Sequence, residues 1–107
     1  MFDEKRKHGR VPLVLEASWE GSGSRSLART TDISETGCFI DTQAEVAVGD
    51  ILHIKLIPPD GDCISAQSEV IYRQRGVGFG VRFWSISDAD RFRLNALLNA
   101  QMLTRRT

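Results

Sequence analysis

Apolar and polar positions along this chain alternate with one period up to about residue 87 and with another beyond it. The residue before a proline is pushed out of the helical region, so Val11-Pro12 starts an extended stretch. Leu13, Leu15, Ala17 and Trp19 then alternate with Val14, Glu16, Ser18 and Glu20. A period of two predicts a strand over residues 13–20. Gly21-Ser22-Gly23-Ser24 predicts a turn. Strands come next over 26–33 and 38–42, separated by Ser34-Glu35-Thr36-Gly37. Val48-Gly49-Asp50 turns the chain into residues 51–57, where Leu52, Ile54 and Leu56 face one way and His53 and Lys55 the other.

Pro58-Pro59-Asp60-Gly61-Asp62 cannot continue a ladder and marks another turn. The next strand spans 63–74, and Arg75-Gly76-Val77-Gly78 returns it into Phe79, Val81 and Phe83, with Gly80, Arg82 and Trp84 on the opposite face. The period then changes. Ser87, with Asp90 three residues on, is an N-cap with acidic residues in the first turn. Ala89, Phe92, Ala96, Ala100 and Leu103 recur at helical spacing and predict one helix from about 88 to 103. Six short strands closed by a helix predict an all-β antiparallel barrel or sandwich with a C-terminal α-helix.

At 107 residues there is room for one domain. It divides into a flexible basic arm (1–10), the strands (11–86) and the helix with its tail (87–107). Fourteen Lys and Arg balance fourteen Asp and Glu, so no overall field favours nucleic acid or an anionic membrane. The charge is locally uneven, because Lys5-Arg6-Lys7-His8-Gly9-Arg10 packs four formal positive charges into six residues. Cys38 and Cys63 stand 25 positions apart without a C-x-x-C or a His cluster, which argues against zinc and a disulfide scaffold. The N-terminus is charged where a signal peptide needs an apolar run, and no stretch has membrane-span length, so a cytoplasmic protein is expected.

Two short motifs carry candidate chemistry. Arg6 and Arg10 form R-x-x-x-R; their planar forks match phosphate oxygens and the O6 and N7 acceptors of guanine. Gly9 between them permits a bend that would let both forks converge on one ligand. Taken alone, the pair reads as a solvated, frayed terminus. Asp32-Ile33-Ser34-Glu35-Thr36-Gly37 forms D-x-S-x-x-G. In an extended chain Asp32 and Ser34 point to the same face, and Gly37 can take the positive φ of a sharp turn. Taken alone, this is a hairpin turn whose Asp and Ser cap their own backbone.

In combination, R-x-x-x-R at 6–10, D-x-S-x-x-G at 32–37 and Gly78-Phe79-Gly80-Val81-Arg82-Phe83 resemble the PilZ domain family in order and spacing over nearly the whole chain. The resemblance implies a six-stranded antiparallel β-barrel with a flanking helix that acts as a cyclic di-GMP receptor, its arginine arm closing over the ligand. Arg6 and Arg10 would then contact guanine edges and phosphates, Asp32 and Ser34 would hydrogen-bond guanine, and Gly37 would shape the adjoining strand. Lys5 adds a charge placed to help hold a second, stacked ligand molecule. Tyr72 is read first as an ordinary strand aromatic and second as a base-stacking group.

Catalysis is not expected: there is no G-x-S-x-G and no paired Cys/His nucleophile, and Gly78-x-Gly80 lacks the helix of a phosphate loop. No cofactor is expected beyond the ligand cyclic di-GMP, and the output would pass to a separate protein effector. Two rival readings are a barrel that only binds proteins and a small-barrel binder of nucleic acid. The zero net charge and the scarcity of aromatics weigh against nucleic acid.

Overall fold

The computed structural model of the protein describes residues 10–21, 24–59 and 61–106. Its strands are β1 (Val11–Pro12), β2 (Glu16–Gly21), β3 (Ser24–Ile33), β4 (Gly37–Asp41), β5 (Ile51–Ile57), β6 (Ile64–Gln74) and β7 (Gly78–Ile86), and the chain ends in the helix α1 (Asp88–Arg106). All strands pair antiparallel in the order β1-β3-β2-β5-β6-β7-β4, and a further β3–β4 pairing closes the six longer ones into a barrel. Closure decides between the two architectures that the alternation left open, since it removes both sheet edges. The alternating inward residues, among them Trp19, Ile33, Ile40, Leu52, Ile54, Leu56, Val70, Phe79 and Val81, are fully buried. Trp19 and Phe79 meet edge to face at the centre, 5.2 Å between ring centroids.

The strand expected over 13–20 begins only at Glu16, as β2, with the separate short β1 ahead of it. Pro12 has no N–H to give a ladder, and regular pairing with β3 resumes only at Glu16. Thr30 spans the break: its Oγ1 accepts from the Leu15 N–H at 3.0 Å and donates to the Leu13 carbonyl at 2.7 Å. Thr30 is 1% exposed, so Thr30→Val would leave two backbone groups unpaired away from water. The expected cost is about 1–3 kcal/mol, read as a lower urea midpoint with an unchanged slope.

The helix begins as expected: Ser87 Oγ accepts from the Asp90 N–H at 3.1 Å. The side it buries is not the stripe by which it was predicted. Ala89, Phe92, Ala96 and Ala100 are exposed, whereas Leu94 and Leu98 are buried and Leu97 is half-buried against the barrel. Two stripes at helical spacing share this segment. The leucines face the barrel because they remove more apolar surface from water than alanines do. Two polar contacts fix the docking: Asp90 Oδ2 accepts from the Ser65 N–H at 3.2 Å, and Gln101 Nε2 donates to the Pro12 carbonyl at 3.4 Å.

Candidate functional site

Strict alternation would turn both Asp32 and Tyr72 inward. On β3, Thr30 faces the core and pairs with Ile40, yet Asp32 pairs with the very next partner, Phe39. On β6, Val70 faces the core and pairs with Val81, yet Tyr72 pairs with Gly80. Each strand therefore carries one extra residue, a β-bulge, and each bulge reverses the facing of the residues after it. Asp32 and Tyr72 thus reach the outer surface of the barrel.

They lie in one row. Pro12 is level with Asp32, Asp32 with Phe39, Phe39 with Gly80, and Gly80 with Tyr72, across five neighbouring strands. Asp32 and Tyr72 are three strand spacings apart, about 15 Å along the curved wall at about 4.8 Å per strand. Phe39 and Tyr72 are separated by the strand carrying Gly80, yet their rings approach to 5.9 Å between centroids, tilted by 32°. Gly80 permits this, since a Cβ there would run into the Tyr72 ring. The result is an aromatic floor with Tyr72 39% exposed.

At the other end of the row, Arg10 Nη1 donates to Asp32 Oδ1 at 2.6 Å. This pair brings the second arginine of the R-x-x-x-R motif onto the aspartate of D-x-S-x-x-G. Burial by itself would lower the Arg10 pKa, but the hydrogen bond and charge of Asp32 outweigh it and hold the guanidinium charged above its ordinary range. Arg6 and Lys5 lie outside the described residues.

Ser34 and Gly37 depart from their expected geometry. Ser34 does not share the face of Asp32; it has left the ladder and is 3% exposed. Its Oγ accepts from the N–H groups of Thr36 and Gly37, both at 3.2 Å, and lies 3.3 Å from the Gly37 carbonyl and 3.2 Å from Thr36 Oγ1. One hydroxyl has one proton and two lone pairs, so its bonding capacity is spent inside the turn. Gly37 does not use a positive φ. It is needed because a Cβ there would strike the Val81 carbonyl of β7.

Directly beneath the ionic end lies Cys38, fully buried. Burial pushes its thiol up to about 12, with Asp32 adding to the rise and Arg10 opposing it. A thiol held protonated in the native state favours folding below its unfolded value near 9, and that contribution is lost as pH rises from 9 towards 12. Native protein should therefore react with Ellman's reagent at the exposed Cys63 alone, with Cys38 appearing only on denaturation. Cys38→Ala should flatten the fall in stability between pH 9 and 12.

The described residues contain no group of three or more His, Cys, Asp or Glu able to hold a metal ion, and no helix long and apolar enough to cross a membrane. The sequence pattern gave no role to Phe39 and included Gly80 only within a family stretch; a glycine opposite an aromatic on the neighbouring strand was the available signal.

A closed six-stranded barrel with a C-terminal helix, carrying one residue of each motif, Arg10 and Asp32, paired on its outer surface, defines the class of small antiparallel β-barrels. The sequence matches the PilZ domain over residues 4–100, and the chain belongs to that family, whose members are generally cyclic di-GMP receptors and typically not enzymes. Among solved structures it is similar to the Bacillus subtilis inhibitor of motility (MotI/DgrA), with a TM-score of 0.83 and 15% identity, over 95% of this chain and 53% of that one. This chain thus spans about half the length of that protein. It is also similar to the PilZ domain of CeSA from a cellulose synthesizing bacterium, with a TM-score of 0.66 and 16% identity, over 86% of this chain and 96% of that one. A search of curated proteins gave no match.

Proposed function

We propose that this protein is a cytoplasmic receptor that binds cyclic di-GMP along the row from Arg10 to Tyr72 and passes its occupancy to a separate protein. The observation that carries this reading is the row itself: an Arg–Asp pair at one end and an aromatic floor at the other, on one outer face of a PilZ barrel. The ligand is a dianion with two guanine rings, so it requires cations, a carboxylate acceptor and a flat apolar surface. Arg10 supplies the cation, joined by Arg6 and Lys5 from the arm, which reorders over the ligand. Asp32 keeps Oδ2 for the N1–H and N2–H₂ donors of guanine, which adenine cannot reproduce. Tyr72 stacks on a base, worth about 1–3 kcal/mol. Ser34 and Gly37 act indirectly, by fixing the turn after Asp32.

Each bidentate arginine–base contact contributes roughly 1–3 kcal/mol, and micromolar binding needs about 8 kcal/mol net. Arginines alone do not reach this once ordering of the arm is deducted, so the barrel face must contribute. Calorimetric titration tests the reading, with cyclic di-AMP as the adenine control. Heat with cyclic di-GMP and little with cyclic di-AMP is expected. No heat with the guanine ligand, or equal binding of both, would overturn it.

A further inference from the structure

β3 is ten residues long and β4 only five, so the seam that closes the barrel runs along half of β3. The two strands pair from Arg29 to Ile33. From Ser24 to Ala28, β3 has β2 on one side and no described strand on the other. Beyond Asp41 the chain leaves this line. Thr42 donates to the Val77 carbonyl in the β6–β7 turn at 3.0 Å, and Val46 is buried in the core.

The backbone groups on the open side follow from the ladder. Thr30 donates to the Leu15 carbonyl, so its N–H points to the β2 side. Backbone groups alternate sides along an antiparallel strand. Ala28 and Ser26 therefore also point at β2, and Leu27 and Arg25 point away from it. Among the described residues, none accepts from the N–H groups of Leu27 and Arg25 or donates to their carbonyls.

Strand edges are ordinarily guarded by proline, a bulge or charge. Ser24–Ala28 holds no proline and pairs with β2 without a register shift. Its middle outward side chain is Leu27, 66% exposed. Its one charge, Arg25, is already bonded to Glu20 at 3.3 Å. A row of free N–H and C=O groups is matched by another extended backbone, with a side-chain contact to set the register.

A second copy of this chain fits the edge poorly. Antiparallel pairing that stacks Leu27 on Leu27 would put the copy's Arg25 opposite Arg29, a place that Asp41 of β4 already holds. The register centred on Ser26 sets Arg25 against Leu27 twice and leaves neither leucine an apolar neighbour across the strands. We infer that the β3 edge from Ser24 to Ala28 docks an extended segment of a partner protein. The segment adds as a strand in line with β4 and sets an apolar residue opposite Leu27. This docking does not depend on ligand binding, although β3 also carries Asp32.

Amide exchange of the full chain gives the first test: Arg25 and Leu27 should exchange faster than Ser26 and Ala28. Linear peptides displayed on phage and selected against the full chain then serve as the probe. Selected peptides should alternate apolar and polar residues, and their binding should slow exchange at Arg25 and Leu27. Leu27→Pro removes a free N–H and leaves the bonds to β2 in place, so it should weaken the peptide about tenfold at an unchanged melting temperature. Leu27→Lys, which charges the middle of the edge, should do the same even if the proline harms folding. Amides of Arg25 and Leu27 as slow as their neighbours, no selected peptide, or peptides indifferent to both variants would overturn the inference. Self-association abolished by Leu27→Pro would also overturn it, because the occupant would then be a second copy.

Discussion

Gly37→Ala should destabilise the barrel by about 3 kcal/mol, near the upper end of what one added methyl group costs. The new Cβ would meet the carbonyl of Val81, a backbone group in the neighbouring strand, so no flexible side chain can yield. Gly37 pairs with Arg82 at one end of the β4–β7 seam, and at the other end a Cβ on Gly78 would strike the Ile40 carbonyl. The two strands are pressed together at both ends of their pairing. Relief would require β4 to move away from β7, and β4 is also the strand that closes the barrel on β3. Urea denaturation should show a much lower midpoint, and amide exchange should quicken along β4 and β7 first. A variant as stable as the parent would mean that the seam tolerates a wider spacing.

Asp32→Ala should lower affinity for cyclic di-GMP by roughly ten- to a hundredfold, the value of one good bidentate base contact. Arg10→Ala should have an effect of similar size. The effects should fall short of adding in the double variant, because the two groups touch and each holds the other in place. Unfolding would not account for these losses. The side chains of Arg10 and Asp32 are 39% and 32% exposed, and a pair so open to solvent contributes under about 1 kcal/mol to stability. Tyr72→Ala should weaken binding while sparing guanine-over-adenine selectivity, since stacking is blind to base identity. Affinity within twofold of the parent for both Asp32→Ala and Arg10→Ala would remove the ionic end of the row from the binding site.

The strand pattern was readable because most of the barrel obeys a period of two: Leu52, Ile54 and Leu56 point inward as their alternation requires. Tyr72 was not readable in this way. Counting by twos from Ile64 through Ala66, Ser68 and Val70 places it in the core, and the extra residue Ile71 that reverses it leaves no compositional mark. Asp32 escapes alternation for the same reason. Ser34 misled differently: the rule that residues two apart share a face holds only inside a strand, and the ladder ends at Ile33. The helix was found through its exposed stripe, because alanine and phenylalanine at regular spacing look alike whether they face a barrel, a second helix or water. Membership of the PilZ family was carried by whole motifs, which survive such local misreadings.

The hydrogen bond from Gln101 to Pro12 joins residues 89 positions apart, so the stem of the basic segment and the closing helix share one anchor. Arg10 lies two residues before that anchor. Between Arg10 and the late turns of the helix there is only β1, two residues long, and this one hydrogen bond. The first strand and the closing helix of the fold are thereby tied together at the surface, outside the buried core.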